Sequence, residues 1–300
     1  PEPESEPEPE PEPESEPESE PEPESESEPE PLFIKIRREE KIAKYLKEQT
    51  HLDIINIKKV WDEYGEGNPD ILIGIADTGI WDKHPDLKPN YNYKESLNKG
   101  VSDDYPGFLE TTFLNENDIY RMNHGTAVAS VAAGRGTELI KGVAPFASLA
   151  NYRIFNVDKR NSKYILEGIK TSGFKYSIFN KVDIINNSWG ISTNHVYEDK
   201  NIVKWIRDCT KYGRNGRGIL SIWASGNSGF AKHQDGSADY STFDYVLNMV
   251  STIVVSSMFY KYRSLYSESG SNVLCCAPGG QYVNKNNDFR LLTASIIPEY

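Results

Sequence analysis

Three short motifs in this sequence carry side chains suited to acid–base and nucleophilic chemistry. Asp77-Thr78-Gly79 follows an apolar run, His124-Gly125-Thr126 opens a stretch of small residues, and Ala224-Ser225-Gly226-Asn227 follows a second apolar run. A carboxylate orients an imidazole, the imidazole takes a hydroxyl proton, and a carboxamide donates a hydrogen bond to a developing oxyanion. Together the motifs predict hydrolysis of an amide bond by an activated hydroxyl, and only the residue that bears the hydroxyl is still to be identified.

Each of these motifs is weaker alone than in the set. Asp-Thr-Gly also carries the carboxylates of aspartic proteases, and an isolated Asp-Gly pair is often a structural turn. His124 is more informative, because the residues from 125 to 134 are almost all small or β-branched. A helix of such residues suits close, buried packing and would hold the imidazole at its exposed N-terminal end. This context favours a functional histidine.

Apolar runs alternate with helix-period segments along most of the chain. Five runs are typical of strands buried on both faces: 71–76, 184–185 with their neighbours, 219–223, 252–255 and 273–276. Four segments indicate helices: 56–63, 124–134, 162–170 and 199–212. The alternation predicts an α/β fold, a three-layer α/β/α sandwich around a mainly parallel central sheet. Ligands bind at the carboxyl ends of such strands, where Asp77 and Asn227 would lie.

Composition divides the chain into an acidic tail, an arm and one domain. Residues 1–30 contain only Glu, Pro and Ser, a composition that predicts a disordered tail. The formal net charge of −12 belongs to this tail, because the remaining 270 residues carry a net charge of +3. We therefore expect an N-terminal arm over 31–65, one catalytic domain over 66–300, and no nucleic-acid partner.

The apolar runs also bear on membrane association. None approaches the roughly 18 residues needed to cross a bilayer, so we expect no transmembrane segment in this chain, and we expect a monomer. A nucleotide-binding α/β domain is a different class with similar architecture. The sequence offers neither Gly-x-Gly-x-x-Gly after a strand nor a phosphate-binding loop, which argues against that class.

The order of the motifs resembles that of the subtilisin-like (subtilase, peptidase S8) serine proteases, whose triad runs Asp, His, Ser along the chain. Four further motifs carry the resemblance, which runs from about Gln49 to the end: Gly142-Val143-Ala144-Pro145, Asn187-Ser188-Trp189-Gly190, Tyr266-Ser267-Glu268-Ser269-Gly270 and Ala277-Pro278-Gly279-Gly280. Several of these resemble the kexin and furin branch more than the bacterial subtilisins. Several motifs in one order are far more specific than any single motif.

The resemblance implies a serine endopeptidase acting on polypeptides, with no organic cofactor. By that resemblance Asp77 orients His124, His124 is the general base and then the acid, and Asn227 donates to the oxyanion. Ser188-Trp189-Gly190 is the segment that pairs with substrate backbone, and Ala224-Ser225-Gly226 walls the pocket for the residue before the cleaved bond. In the kexin branch acidic residues around that pocket give a preference for basic residues, whereas this chain has Ile191-Ser192-Thr193 just past Gly190. Asp235 and Asp239 are possible substitutes, and the alternative is that they are solvated loop residues. Relatives are mostly secreted, which suggests the secretory pathway or the exterior.

Calcium is a further implication of the resemblance. Asp86, in His84-Pro85-Asp86-Leu87, matches a position that often ligates structural calcium, an ion that prefers carboxylate oxygens. The partner loop, 135–141, lacks the usual Asn, and Glu138 is the available substitute. The spacing of the three cysteines does not match a metal-binding motif, and we expect all three thiols to be buried: Cys209, Cys275 and Cys276.

The family's nucleophile occurs in Gly-Thr-Ser followed by small residues and a proline, and no such motif exists in these 300 residues. The nearest candidate is Ser295, but no glycine precedes Thr293 and two bulky isoleucines follow the serine. Residues 289–295 instead resemble the strand that precedes the serine loop. Three interpretations remain: a protease whose chain stops before its serine, a serine-less homologue that binds peptides as an interaction protein, and a divergent enzyme that uses Ser295.

Overall fold

The structure of the protein, a computed structural model, describes the greater part of residues 49–294. The ranges are 49–97, 123–158, 163–166, 181–190, 200–229, 240–259, 261–282, 288–289, 291 and 293–294. The predicted acidic tail and most of the predicted arm lie outside them.

A mostly parallel sheet forms the centre of the described domain. Its strands are β1 (Leu72–Asp77), β2 (Ser148–Arg153), β5 (Ile184–Asn187), β6 (Leu220–Ala224), β7 (Thr252–Phe259), β8 (Tyr262–Arg263) and β9 (Val273–Pro278). The order is β2-β1-β5-β6-β7, with the antiparallel β8 and the parallel β9 both paired to β7. Two small antiparallel pairs stand apart: β3 (Phe155–Asp158) with β4 (Lys163–Leu166), and β10 (Gln281–Tyr282) with β11 (Asp288–Phe289).

Four α-helices accompany the sheet in the described ranges. They are α1 (Thr50–Ile54), α2 (Ile57–Tyr64), α3 (His124–Ala133) and α4 (Lys200–Gly216). Helical backbone angles in α4 end before Gly213, close to the predicted end at 212. No helix in the described part of the chain has both the length and the apolar character that a membrane span requires.

The two faces of β1 explain the layered arrangement, because successive side chains of a strand point to opposite sides. Leu72 and Ala76 belong to a buried cluster that includes Ile202, Trp205 and Ile206 of α4. On the other face, Ile73 and Ile75 pack in a second cluster that includes Ala129 and Ala133 of α3. The sheet therefore has helices on both sides, and the predicted α/β sandwich is confirmed.

Three local predictions were wrong. The segment 162–170 was predicted as a helix, but Lys163–Leu166 forms β4, where Tyr164 and Ile165 suit extended backbone better. The run 273–276, which forms the first part of β9, was expected to be buried on both faces, yet Leu274 is 72% exposed. Of the thiols, Cys209 is buried as expected, whereas Cys275 and Cys276 are exposed and free. The last two errors concern the same strand, β9, which is exposed from Leu274 to Ala277 and pairs with β7 alone among the described strands.

Candidate active site

Asp77 is the last residue of β1 and lies at the carboxyl edge of the parallel sheet. Its side chain is 1% exposed, and the backbone N–H of Thr78 donates a hydrogen bond to Oδ1 over 2.7 Å. Burial of a carboxylate is costly unless hydrogen bonds and an opposite charge compensate. Asp77 is therefore placed to hold a hydrogen-bond donor that carries, or gains, positive charge.

His124 is that donor. It is the first residue of α3, and its Nδ1 lies 2.8 Å from Oδ1 and 3.0 Å from Oδ2 of Asp77. The imidazole is 48% exposed, so one side of the ring meets the carboxylate while the other side faces solvent. The structure thus brings together two of the predicted catalytic residues, which lie 47 positions apart in the sequence.

The first turn of α3 is fixed to the loop after β1 by reciprocal hydrogen bonds. The N–H of Gly125 donates to Thr78 Oγ1 over 2.9 Å, and the N–H of Trp81 donates to Thr126 Oγ1 over 3.0 Å. A Cβ at position 125 would lie 2.5 Å from the carbonyl oxygen of Gly79. Only glycine permits this approach, which sets the distance between the carboxylate and the imidazole.

The environment of His124 acts on its pKa in two opposing ways. Burial of part of the ring lowers the pKa, but the hydrogen bond and the negative charge of Asp77 raise it more, so the net pKa is above the ordinary 6.5. Since the folded pKa is raised, the ion pair stabilises the fold fully below about pH 6.5, and this contribution disappears as the pH rises through the folded pKa.

A cavity of about 240 Å³ opens beside this pair. Its lining includes the predicted acid, the predicted base and the first of the two predicted substrate-binding segments: Asp77, Thr78, His124, Phe155, Ser188, Trp189 and Gly190. The second predicted segment, 224–226, is described but is not among the lining residues. The indole of Trp189 contacts the rings of Phe155 and Trp223, with ring centroids 5.6 and 4.8 Å away. This aromatic packing fixes the segment 188–190 directly after β5, at the same edge of the sheet as Asp77.

The third motif follows β6, the neighbour of β5 in the sheet. Ala224 and Asn227 are exposed and Ser225 is buried, while Gly226 has a φ of +110° that favours glycine. Parallel pairing puts this turn at the same edge of the sheet as the other two motifs. Asn227 is not among the described residues that line the cavity, so its role as oxyanion donor stays a prediction.

Glu268 is a residue that the sequence reasoning did not single out. It is 8% exposed, its Oε1 accepts a hydrogen bond from the N–H of Ser228 over 3.1 Å, and its N–H donates to the carbonyl of Gly226. A Cβ at position 226 would overlap the Glu268 carboxyl group. An acid inside the Tyr266–Gly270 motif, next to the predicted pocket wall, was the available signal.

The predicted calcium ligand Asp86 lies away from the cavity, beside the loop that follows α3. It is fully buried, and both carboxylate oxygens accept hydrogen bonds from backbone N–H groups of residues 137–140. Glu138 contributes its N–H to this set. Among the described residues, no group of three or more His, Cys, Asp or Glu side chains could hold a metal ion.

Several other predicted positions lie outside the described residues: Asp235, Asp239 and Ser295. The residue before Ser295 is described, and it is informative. Ala294 is 2% exposed, and its N–H donates to Oγ of Ser130 over 2.9 Å. Ser130 lies in α3, six residues after His124, about 9 Å along the helix. The end of the described chain therefore contacts the helix that carries the imidazole.

Comparison with known sequences finds a matching family model and several curated relatives. A family model described as "Subtilase family" matches residues 68–297. Among curated relatives, neuroendocrine convertase 2 of Homo sapiens is 28% identical over 224 residues, and the match covers 73% of this chain and 32% of the relative. Subtilisin-like protease 2 of Plasmodium falciparum is 28% identical over 274 residues, covering 86% and 19%. The chain spans a third or less of the length of these relatives.

Comparison with solved structures supports the fold. A serine protease of Aeromonas sobria is 22% identical with a TM-score of 0.52, and the match covers 71% of this chain and 36% of that one. The prenylagaramide maturation protease PagA is 20% identical with a TM-score of 0.52, covering 75% and 68%. At such identities, the similarity establishes the architecture rather than the chemistry.

The effect of Asp77 on the imidazole can be measured directly. In Asp77→Asn the hydrogen bond loses its charge, and burial then dominates, so we expect the pKa of His124 to fall below its wild-type value. NMR titration of the imidazole resonances in both variants measures the change, with Asp62→Asn, an exposed acid on α2, as the matched control. An equal pKa in wild type and Asp77→Asn would mean that the two side chains do not interact in solution.

Proposed function

Because the chain belongs to the subtilase family of serine endopeptidases, we propose that Asp77, His124 and Asn227 are the acid, the base and the oxyanion donor of a peptidase site. The observation that carries this proposal is the hydrogen bond between Asp77 and His124 at the rim of a cavity lined by Ser188–Gly190. An acid and an imidazole in contact beside a groove form the base half of a serine hydrolase.

The chemistry assigned to the pair follows from its geometry. Asp77 accepts a hydrogen bond from Nδ1–H, which leaves Nε2 as the nitrogen available to remove a proton from an attacking hydroxyl. As the hydroxyl attacks the peptide carbonyl, the imidazole gains a proton, and the buried carboxylate stabilises the imidazolium. The same proton then passes to the leaving amine. In this proposal the side-chain amide of Asn227 donates to the carbonyl oxygen as it becomes negative.

Substrate binding is assigned to the segment 188–190. An extended peptide that adds alongside a strand gains main-chain hydrogen bonds, and side-chain pockets then supply selectivity. Trp189 supports this role because its ring is fixed against Phe155 and Trp223, which makes the segment a rigid edge beside the cavity. The substrate class is therefore polypeptide.

The serine that completes the triad is proposed to be absent from these 300 residues, because no Gly-Thr-Ser motif occurs among them. The second candidate function, a peptide-binding interaction protein without catalysis, draws on the same groove and the same missing motif. Both proposals concern the described domain. The activity of the whole protein is likewise a proposal. By the same resemblance we propose the secretory pathway or the cell exterior as its location.

The proposed absence of the nucleophilic serine predicts that the chain does not react with serine-directed probes. We expect the 300-residue chain to show no covalent labelling by a fluorophosphonate probe above the heat-unfolded chain, because the acyl-enzyme chemistry needs a serine. His124→Ala and Ser295→Ala serve as controls. Labelling that disappears in both variants would identify Ser295 as the nucleophile and contradict the proposal.

The transcript beyond the codon for Tyr300 distinguishes the peptidase proposal from the interaction-protein proposal. For a peptidase we expect the codons after Tyr300 to encode Gly-Thr-Ser followed by small residues. In the longer protein, His124→Ala should then lower kcat by several orders of magnitude with little change in KM. A stop codon directly after Tyr300 would contradict a peptidase whose serine follows Tyr300, and the Ser295→Ala labelling experiment would then separate the interaction protein from an enzyme that uses Ser295.

Glu268 extends the proposal to selectivity. A buried carboxylate that touches Gly226 lies directly behind the predicted wall of the pocket for the residue before the cleaved bond. Negative charge behind the wall of a pocket favours a positively charged side chain in the pocket, and screening by water is weak at a buried site. We therefore propose that the groove prefers peptides with Arg or Lys at this position.

Two peptides that differ only by Arg or Leu at that position test the preference. Fluorescence anisotropy should show tighter binding of the Arg peptide to the wild-type chain, and Glu268→Gln should reduce the ratio of the two Kd values by roughly tenfold. Glu63→Gln, an exposed acid on α2, is the matched control for a general charge effect. An unchanged ratio in Glu268→Gln would rule out Glu268 as the source of selectivity.

A further inference from the structure

The carboxylate of Asp86 accepts more hydrogen bonds than that of any other acid described above. Its carboxylate Oδ1 accepts N–H donors from Thr137 and Glu138, both over 2.8 Å, and the Thr137 hydroxyl over 3.1 Å. The other oxygen, Oδ2, accepts the N–H groups of Leu139 and Ile140, both over 2.9 Å. The side chain is fully buried, so these five donors replace the water that the carboxylate loses on folding.

The direction of these hydrogen bonds decides what the loop can hold. Four consecutive backbone N–H groups converge on one point, and such a concave arrangement of amides binds an anion. A calcium site in a loop needs the opposite orientation, with carbonyl and carboxylate oxygens directed at the ion. Here the one carboxylate is the anion in the concavity, and both of its oxygens are already engaged.

The surroundings of Asp86 supply further hydrogen bonds that fix its own backbone and that of the loop. Gln49 uses both ends of its carboxamide on the backbone of Lys141, with its oxygen accepting over 3.0 Å and its nitrogen donating over 2.8 Å. Arg135 donates its N–H to the backbone carbonyl of Asp86 over 2.7 Å. The guanidinium of Arg135 in turn donates to the side-chain oxygen of Asn90. The donor set does not fit calcium.

The loop around Asp86 is closed as a hairpin. Arg135 and Lys141 form an antiparallel bridge, and the N–H of Gly142 donates to the carbonyl of Gly134 over 2.8 Å. The hairpin begins directly after α3, the helix whose first residue is His124. The hydrogen bonds to Asp86 therefore connect the loop after β1 to the far end of α3, opposite the end that bears the imidazole.

We propose that Asp86 is a metal-independent anchor: its carboxylate fixes the hairpin 134–142 through hydrogen bonds and makes a calcium ion unnecessary at this position. In the family that the sequence resembles, this position often ligates a structural calcium ion. In this chain, hydrogen bonds from the backbone of residues 137–140 to the Asp86 carboxylate fix the loop without an ion. The proposal is independent of the proposed peptidase function, because it concerns stability alone.

Thermal unfolding of the 300-residue chain in CaCl2 and in EDTA tests the proposal. We expect the same Tm in both solutions to within about 1 °C, whereas saturation of a calcium site at 100 times its Kd would raise Tm by roughly 5–10 °C. Hydrogen exchange gives a second measurement in the wild-type chain. The amides of 137–140 should be equally protected in EDTA and in CaCl2. Calcium-dependent Tm together with amides that lose protection in EDTA would overturn the proposal.

Variants locate any effect of the ion. In Asp86→Asn an amide NH2 group faces backbone donors, so we expect Tm to fall by roughly 5 °C or more in both solutions. The exposed Asp62→Asn is the matched control, with an unchanged Tm. If calcium stabilises the wild type and Asp86→Asn equally, the ion binds elsewhere and the anchor is supported. Stabilisation by calcium that is lost in Asp86→Asn contradicts it, and the exchange data decide if this variant does not fold.

Discussion

The contact between Asp77 and His124 is the interaction on which the candidate site depends. One partner ends a buried strand and the other begins a helix packed on the sheet, so the contact exists only if β1 and α3 meet at a fixed separation. Gly125 permits that separation, and the hydroxyls of Thr78 and Thr126 maintain it with hydrogen bonds. The small residues of α3 that pack against the sheet serve the same end, since larger ones would move the imidazole away from the carboxylate.

Parallel pairing extends this constraint to the other motifs. Because β1, β5 and β6 are neighbours with the same direction, the residues that follow them emerge at one edge of the sheet. Asp77, Ser188 and Asn227 each occupy such a position. The strand order therefore places three separate segments at one edge of the sheet. The buried clusters on the two faces of the sheet support this arrangement.

Much of the fold could be predicted from the sequence because the strands leave strong signals. The run before Asp77 is apolar throughout, as expected for a strand buried on both faces, and the segment from His124 has the composition of a tightly packed helix. The segment 162–170 misled because Tyr164, Ile165 and Ile169 satisfy a helical period, although β-branched and aromatic residues also suit a strand. Pairing with β3, a tertiary contact, decided the outcome at Lys163–Leu166.

The candidate site was partly predictable for a similar reason. Asp77, His124 and the segment 188–190 lie in local motifs, and their positions at strand and helix ends follow from the sequence. Glu268 and the partners of Asp86 do not, because their roles arise from backbone donors and close approaches between distant segments. The exposed Cys275 and Cys276 show the same limit, since burial of a strand depends on what packs against it rather than on its own residues.

A double-mutant cycle on Asp77 and His124 tests most directly whether these side chains interact in the folded chain. The unfolding free energies of Asp77→Asn, His124→Gln and the double variant are measured in urea near pH 5.5, where the imidazole is protonated. We predict non-additivity of roughly 0.5 kcal/mol or more, decreasing as the pH rises through the pKa of His124. Strict additivity at both ends of that pH range would contradict the account, because it would separate the acid from the base.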